Sequence, residues 1–324
     1  MTGQDPTYTI AVCNYNMVDT VERSLRSMAD QVDSETFEVV VVDGGSTDGS
    51  RDVIRDLADE YPHLRAVLNR SDERDWLGGD RNVSFEESRG EYVLESMDTD
   101  DYYFEGVVDD FLRVFHAVEE HRDGEFFLSG RGINVAPRSL LLEVPYYDLG
   151  GAEDRDLWRR LYARDALVWF DHGQVARSLG YDFDLRGEIS RDIHGKICDF
   201  QSGISFWSAM RWAVTHEKLG VFERERSLPR EVAKRLYDLV TFPYAYLNAL
   251  PRERHEAPPT FRRRGALEER IVETRKALPE LEAAYGFEID RDEFSQAGYE
   301  AFVAYADDRG SEAGRSRSRS DHSR

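Results

Sequence analysis

A mostly parallel, doubly wound α/β sheet is the fold class predicted by the first hundred residues, on three observations. Apolar strand-like runs alternate with helical periodicities, and acids close successive runs. The segment Phe37-Glu-Val-Val-Val-Val-Asp43 is β-branched through its middle, the composition of a strand covered on both faces. Taken in order, Tyr8 to Cys13 reads as the first strand. Val18, Val21, Leu25 and Met28 then recur at helical spacing, so a helix leads into the Phe37–Asp43 strand. Ser46 stands where it can cap a helix carrying Val53, Ile54 and Leu57. Leu64 to Leu68 reads as strand, Gly79 to Ser88 as helix, Tyr92 to Met97 as strand and Val107 to Glu120 as helix. In such a sheet ligands collect at the carboxyl ends of the strands, where Asp43 and Asp98 stand.

The densest chemistry lies at the end of Glu91-Tyr-Val-Leu-Glu-Ser-Met-Asp98-Thr-Asp100-Asp101. Strand alternation puts Asp98 and Asp100 on one side, where like charges repel unless a cation sits between them. Hard carboxylate oxygens suit Mg²⁺ or Mn²⁺, which keep several waters and bind substrate phosphates. An acidic, solvated turn is the other reading of the same pattern. Further on, Gly150 and Gly151 free the backbone before a helix whose Leu157, Trp158 and Leu161 form an apolar stripe. Glu153 and Asp154 occupy its first turn, where the helix dipole favours carboxylates whatever their role.

The chain has 324 residues, 40% of them hydrophobic, enough for one large α/β domain with an extension. Its net charge is −22, and lysine is nearly absent: only Lys196, Lys218, Lys234 and Lys276 occur. An acidic, lysine-poor surface reads as that of a salt-adapted protein kept hydrated by Asp and Glu. A general nucleic-acid binder would carry the opposite sign. Cys13 and Cys198 have no metal-ligand spacing, so neither a disulfide framework nor a zinc site is expected, and a cytoplasmic protein is. Neither a signal peptide nor a membrane-spanning run is read in the sequence.

Five elements then carry a family resemblance. Val42-Asp43-Gly-Gly-Ser-Thr-Asp48-Gly49 resembles the VDDGSTDG signature of family two inverting glycosyltransferases of the GT-A fold. Asn14-Tyr15-Asn16 resembles their TYN segment, and Asp80-Arg81-Asn82 their ARN segment. Gly90-Glu-Tyr-Val leading to Asp98-Thr-Asp-Asp101 resembles GEYI and DADD, and Glu153-Asp154 with Leu157-Trp158 resembles EDxxLW. The departures are Gly44 for the second acid of VDD, Asn14 for a threonine, and one extra residue between Gly90 and Asp98.

The resemblance implies a GT-A fold and a donor that is a nucleoside-diphosphate sugar, UDP-linked by preference. It places Cys13 and Tyr15 at the base, Asp43 on base or ribose, and Arg81 against phosphate charge. Asp98 would hold ribose or a metal water. Asp100, with Asp101 beside it, would hold Mn²⁺ or Mg²⁺ across the donor phosphates. Asp154 would be the general base on a hydroxyl acceptor, with Glu153 the second choice. A lipid-linked glycan such as a dolichyl-phosphate-linked sugar, as in protein glycosylation, is the acceptor the resemblance favours. A nucleotidyltransferase would need a Gly-x-Gly-Thr opening, and a DxDxT phosphatase acids after the first strand; neither is present. A catalytically silent nucleotide-sugar-binding relative is the rival outside enzymes.

The expected organisation is a GT-A domain over 1–222, its nucleotide half 7–104 and acceptor half 105–222, then a helical extension over 223–306. Residues 307–324 are expected as a disordered tail. His194 and Lys196 are expected on a loop able to close over a diphosphate. Arg211-Trp212 lacks the glutamine of a QxxRW element, Ser208 standing in its place, so a processive polymerase is not expected and Trp212 reads as core or capping. Tyr237 to Leu250 is aromatic-rich and followed by Arg252, Arg254 and Arg262 to Arg264. It reads either as a helix packed on its own domain or as a monotopic contact at lipid headgroups.

Overall fold

The structure, a computed structural model, describes residues 5–68, 76–180, 185–215 and 228–309. Its N-terminal part alternates β1 (Tyr8–Asn14), α1 (Val21–Ala29), β2 (Phe37–Asp43), α2 (Ser50–Glu60), β3 (Leu64–Val67), α3 (Leu77–Glu87) and β4 (Tyr92–Glu95). Then come β5 (Asp101–Tyr103), α4 (Val107–Glu119), β6 (Phe127–Ser129), β7 (Asn134–Pro137), α5 (Arg138–Glu143), α6 (Glu153–Ala163), β8 (Leu167–Trp169) and β9 (Ala176–Ser178). The remainder is helical: α7 (Leu185–Gln201), α8 (Phe206–Thr215), α9 (Leu228–Ala249), α10 (Ala266–Thr274) and α11 (Leu278–Tyr285).

Seven strands form one sheet in the order β3-β2-β1-β4-β7-β6-β8. The first four run parallel, β7 is antiparallel to both neighbours, and β6 and β8 run parallel. The expected α/β architecture, mostly parallel with helices at the C-terminal side, is the observed one. Every residue of β2 is buried, as its β-branched run requires. Strand alternation feeds two cores: Ile10 and Val12 pack with α1, α2 and α4, while Ala11 and Val93 pack with Phe85, Leu140 and Leu157.

Three local expectations change. The helix after β2 starts at Ser50 behind Gly49, not behind Ser46, because Ser46 turns back to bond Asp43 and the Asn16 backbone. The strand expected to reach Met97 ends at Glu95, and Ser96 at φ 65° turns the chain out of the sheet. The packing also ignores a boundary at 222. Leu278, Leu281, Phe294 and Phe302 belong to the main core, whereas α7, α8 and α9 share a separate cluster of Ile197, Phe200, Trp212, Phe242, Ala245 and Ala249. Trp212 is core, under the Arg264 guanidinium at 5.4 Å. Residues 310–324 of the expected tail lie outside the described residues; 307–309 are helical, and Arg309 reaches Asp171 at 2.8 Å.

Candidate active site at the carboxyl edge of the sheet

Register brings the ends of β1 and β2 together, with Asn14 opposite Asp43. Asp43 is fully buried and both its oxygens are engaged. Oδ1 accepts from the Gly45 and Ser46 backbone at 3.1 and 2.9 Å, and Oδ2 from Asn14 Nδ2 and Ser46 Oγ at 2.9 and 2.5 Å. In this geometry Asp43 shapes the Gly44–Asp48 loop, and a nucleobase would have to displace one of those donors. Gly44 has a steric reason: a Cβ there would meet the carboxylate of Asp80, which fills the space of the acid expected at 44. Cys13 and Tyr15 lie at this edge, the first half-buried with its thiol pushed up by burial, the second 38% exposed.

Asp98, Asp100 and Asp101 come together, their ligand oxygens within 4.8 Å of one another. A turn gathers them, not strand alternation: Asp98 and Asp100 lie beyond β4, and Asp101 opens β5. Ser24 Oγ donates to the Asp98 carbonyl at 3.0 Å, and the Asp98 amide donates to Tyr103 Oη at 2.8 Å. Desolvation by the surrounding protein raises the Asp98 carboxyl to about 6; Arg81 opposes, while Asp100, Asp154 and Asp101 add to the rise. Asp101 is raised by burial and Asp100. Asp98 is exposed, the other two half-buried, so the cluster is a repulsive, reachable set of hard oxygens, as Mn²⁺ or Mg²⁺ requires.

Arg81 of α3 crosses to α6. Its Nη1 donates to Tyr146 Oη at 2.7 Å, to Glu95 Oε2 at 3.2 Å, and to Asp154 Oδ1. Burial opposes the charge of this guanidinium, but Asp154, Tyr146 and Glu95 outweigh it and raise the pKa. The arginine expected against phosphate is thus 6% exposed and turned to Asp154. Asp154 also accepts from Tyr146 on Oδ1, at 3.1 Å. Its side chain is 34% exposed and lines a cavity of about 360 Å³ with Ser96, Asn134, Trp158, Trp169 and His172. The two indoles meet edge-on at 4.8 Å, and Trp158 Nε1 is buried without a protein acceptor.

Glu153, one residue earlier, is buried away from the cavity lining. It is 1% exposed, its Oε1 has no hydrogen-bond partner, and burial with Asp154 pushes its carboxyl up to about 7. His194 and Lys196 sit in α7, not on a loop. His194 packs on Trp76 at 5.5 Å, and Lys196 is buried against Asp192, Asp238 and Thr241 at 2.6 to 2.8 Å, joining α7 to α9. The sequence reading missed Glu95, Asn134 and Tyr146. Only Glu95 left a signal, an acid inside an apolar strand on the same face as Val93.

Residues 9–140 match the model of the family described as Glycosyl transferase family 2. The match covers β1 to β7 and the acidic turn, and ends before α6. The chain is similar to poly(ribitol-phosphate) beta-glucosyltransferase of Bacillus spizizenii, 29% identical over 43% of this chain and 22% of that protein. It is similar to glycosyltransferase AglE of Haloferax volcanii, 29% identical over 31% of this chain and 32% of that protein. The matched parts span about a fifth to a third of those relatives' lengths. Among solved structures it is similar to mannosyltransferase PcManGT of Pyrobaculum calidifontis, in complex with GDP-Man and Mn²⁺. That likeness has 19% identity, a TM-score of 0.47, and covers 76% of this chain and 74% of that one.

Proposed function

We propose that this chain is an inverting glycosyltransferase that moves a hexose-type sugar from a nucleoside diphosphate, UDP by preference, to a hydroxyl acceptor. The observation that carries the reading is the convergence around Arg81 of a reachable acid triad and a carboxylate on a cavity. The family model over the first part of the chain supports it. Asp98, Asp100 and Asp101 would hold Mn²⁺ or Mg²⁺; the ion would supply Lewis acidity toward the donor diphosphate.

The chain's own residues do the rest. Arg81 and Tyr146 grip Asp154 by Oδ1 and fix its orientation, so that Oδ2 receives the acceptor proton. As that proton leaves, the acceptor oxygen bonds to C1 of the sugar. The bond from C1 to the phosphate oxygen breaks on the opposite face, and its electron pair departs with the nucleoside diphosphate. Trp158 and Trp169 line the cavity with aromatic rings, surroundings that suit a sugar hydroxyl acceptor. A lipid-linked glycan is the acceptor class we favour. Glu153 as base is the second reading, favoured by its carboxyl at about 7 and opposed by its burial.

The test is a panel of nucleotide sugars, with and without Mn²⁺, on the purified chain and on Asp100→Ala. Metal-dependent nucleotide affinity is expected in the parent and should be lost in the variant. Equal Mn²⁺-dependent UDP binding by both would place the cation elsewhere, and binding without transfer or hydrolysis would favour a silent relative.

A further inference from the structure

Helix α9 is amphipathic in a way its own domain does not use. One side, with Phe242, Ala245 and Ala249, packs on α7 and α8. On the other side Val232, Leu236, Val240, Tyr244 and Leu247 recur at intervals of four and three, 50, 60, 71, 54 and 64% exposed. On α8, which packs against α9, Trp207 and Val214 are 79 and 57% exposed. Tyr246, by contrast, is turned inward onto Phe200 and Phe206.

The charge carried by these two helices runs against that of the chain. Helices α8 and α9 carry Arg211, Arg230, Lys234 and Arg235 against two acids, Glu231 and Asp238, in a protein of net charge −22. Asp238 is buried and neutralised by Lys196 and Lys234. Among the described residues no helix is long and apolar enough to cross a membrane. We infer that the outward faces of α8 and α9 form a monotopic docking surface for an anionic lipid bilayer. Trp207, Val240, Tyr244 and Leu247 enter the headgroup boundary, and Arg211 and Arg230 meet lipid phosphates.

A second copy is the poorer occupant. A two-fold contact would set one basic face against the same face of its partner, and a contact with an acidic face elsewhere would be head-to-tail, giving a ring or a filament. A bilayer offers apolar depth and negative charge together, and accepts side chains projecting from two helices without a matching groove. Direct contact between arginine and phosphate operates even where salt shortens the Debye length to about 3 Å. The inference is independent of the proposed transfer reaction, because vesicle binding is read without donor or acceptor.

The test is co-sedimentation of the full chain with vesicles of phosphatidylglycerol or of phosphatidylcholine, with analytical ultracentrifugation of the protein alone. The chain should pellet with phosphatidylglycerol, and Val240→Ser with Leu247→Ser should weaken that binding at least about tenfold, since two apolar side chains leave the lipid. Arg211→Gln with Arg230→Gln should remove the preference for the anionic vesicle. Trp207→Ser, at the most exposed of these positions, supplies the same reading should the double serine variant melt early. A parent chain that stays in solution with both vesicles, or serine variants that bind as the parent does, would overturn the proposal. So would a parent dimer that the serine variants turn into a monomer, which would identify a second copy as the occupant.

Discussion

Helix α6 stands between two clusters of buried charge, and they are built on opposite ratios. On the sheet side, one guanidinium, Arg81, serves Glu95 and Asp154, with Asp98 in its field. On the far side, Arg155, Arg159 and Arg264 surround Asp199 and Glu268, with Arg159 Nη2 at 2.5 Å from Asp199 and both other arginines on Glu268. Acids in excess have their carboxyls raised: Glu95 by burial, Asp98 to about 6, Glu153 to about 7. Acids among excess arginine are held down: burial opposes, but the arginines win, bringing Glu268 to about 2 and Asp199 lower still. The first arrangement leaves carboxylates in excess of cations, a setting that favours uptake of a proton or a metal ion. The second ties α6 to α7 and α10, so that the first turn of α6 is held where Asp154 meets Arg81.

The largest effects are expected at Asp154 and Asp199. Asp154→Asn should leave donor affinity near the parent value and cut kcat by about 10²- to 10⁴-fold, because a base acts only in the transition state. Glu153→Gln should be milder. Single-turnover transfer on both variants checks this, and the reverse order would make Glu153 the base. Asp199→Asn should instead cost on the order of 3 kcal/mol of stability, since it leaves buried arginines without their carboxylate. Denaturant unfolding measures it, and a variant as stable as the parent would deny that cluster its anchoring role.

Stability against pH should show both clusters with opposite signs. Glu153 is raised on folding, so its contribution is complete below about 4.5 and is lost as pH rises through about 7; the burial sets a scale of about 2 to 3 kcal/mol. Glu268 is lowered on folding, so its contribution is present above about 4.5 and is lost as pH falls through about 2. Glu153→Gln should flatten the loss between pH 4.5 and 7 while leaving the acid limb unchanged; melting curves across pH would show whether it does. The smallest effect belongs to the surface. If the acidic, lysine-poor exterior is salt-adapted, lowering salt to about 0.1 M should reduce Tm as carboxylates repel over about 10 Å, more through the outer charge than through either buried cluster. An unchanged Tm in dilute buffer would remove the salt-adaptation argument.

Much of the fold was legible because its cues are local. The valine run of β2, the helical spacing of Val21, Leu25 and Met28, and the apolar stripe of α6 each name their element within a few residues. The helix start at Ser50 was not legible from Ser46, whose hydroxyl has a better partner in a carboxylate three residues back. Lys196 read as a loop residue, but acids 4 and 42 residues away hold it in a helix.

By itself, then, the order of residues determined the parallel half of the sheet, the acids at its strand ends and the Glu153-Asp154 pair at a helix start, because periodicity and backbone preference act over short separations. Tertiary structure alone decided which of those acids does what. It turned Arg81 onto Asp154 across 73 positions, closed Asp43 inside its own loop, and gathered Asp98, Asp100 and Asp101 by a turn pinned to α1. It also buried Glu153 while leaving Asp154 on a cavity, and kept one face of α9 open. Those outcomes depend on solvent exposure and on charges brought together from distant segments, and neither quantity exists until the chain has packed.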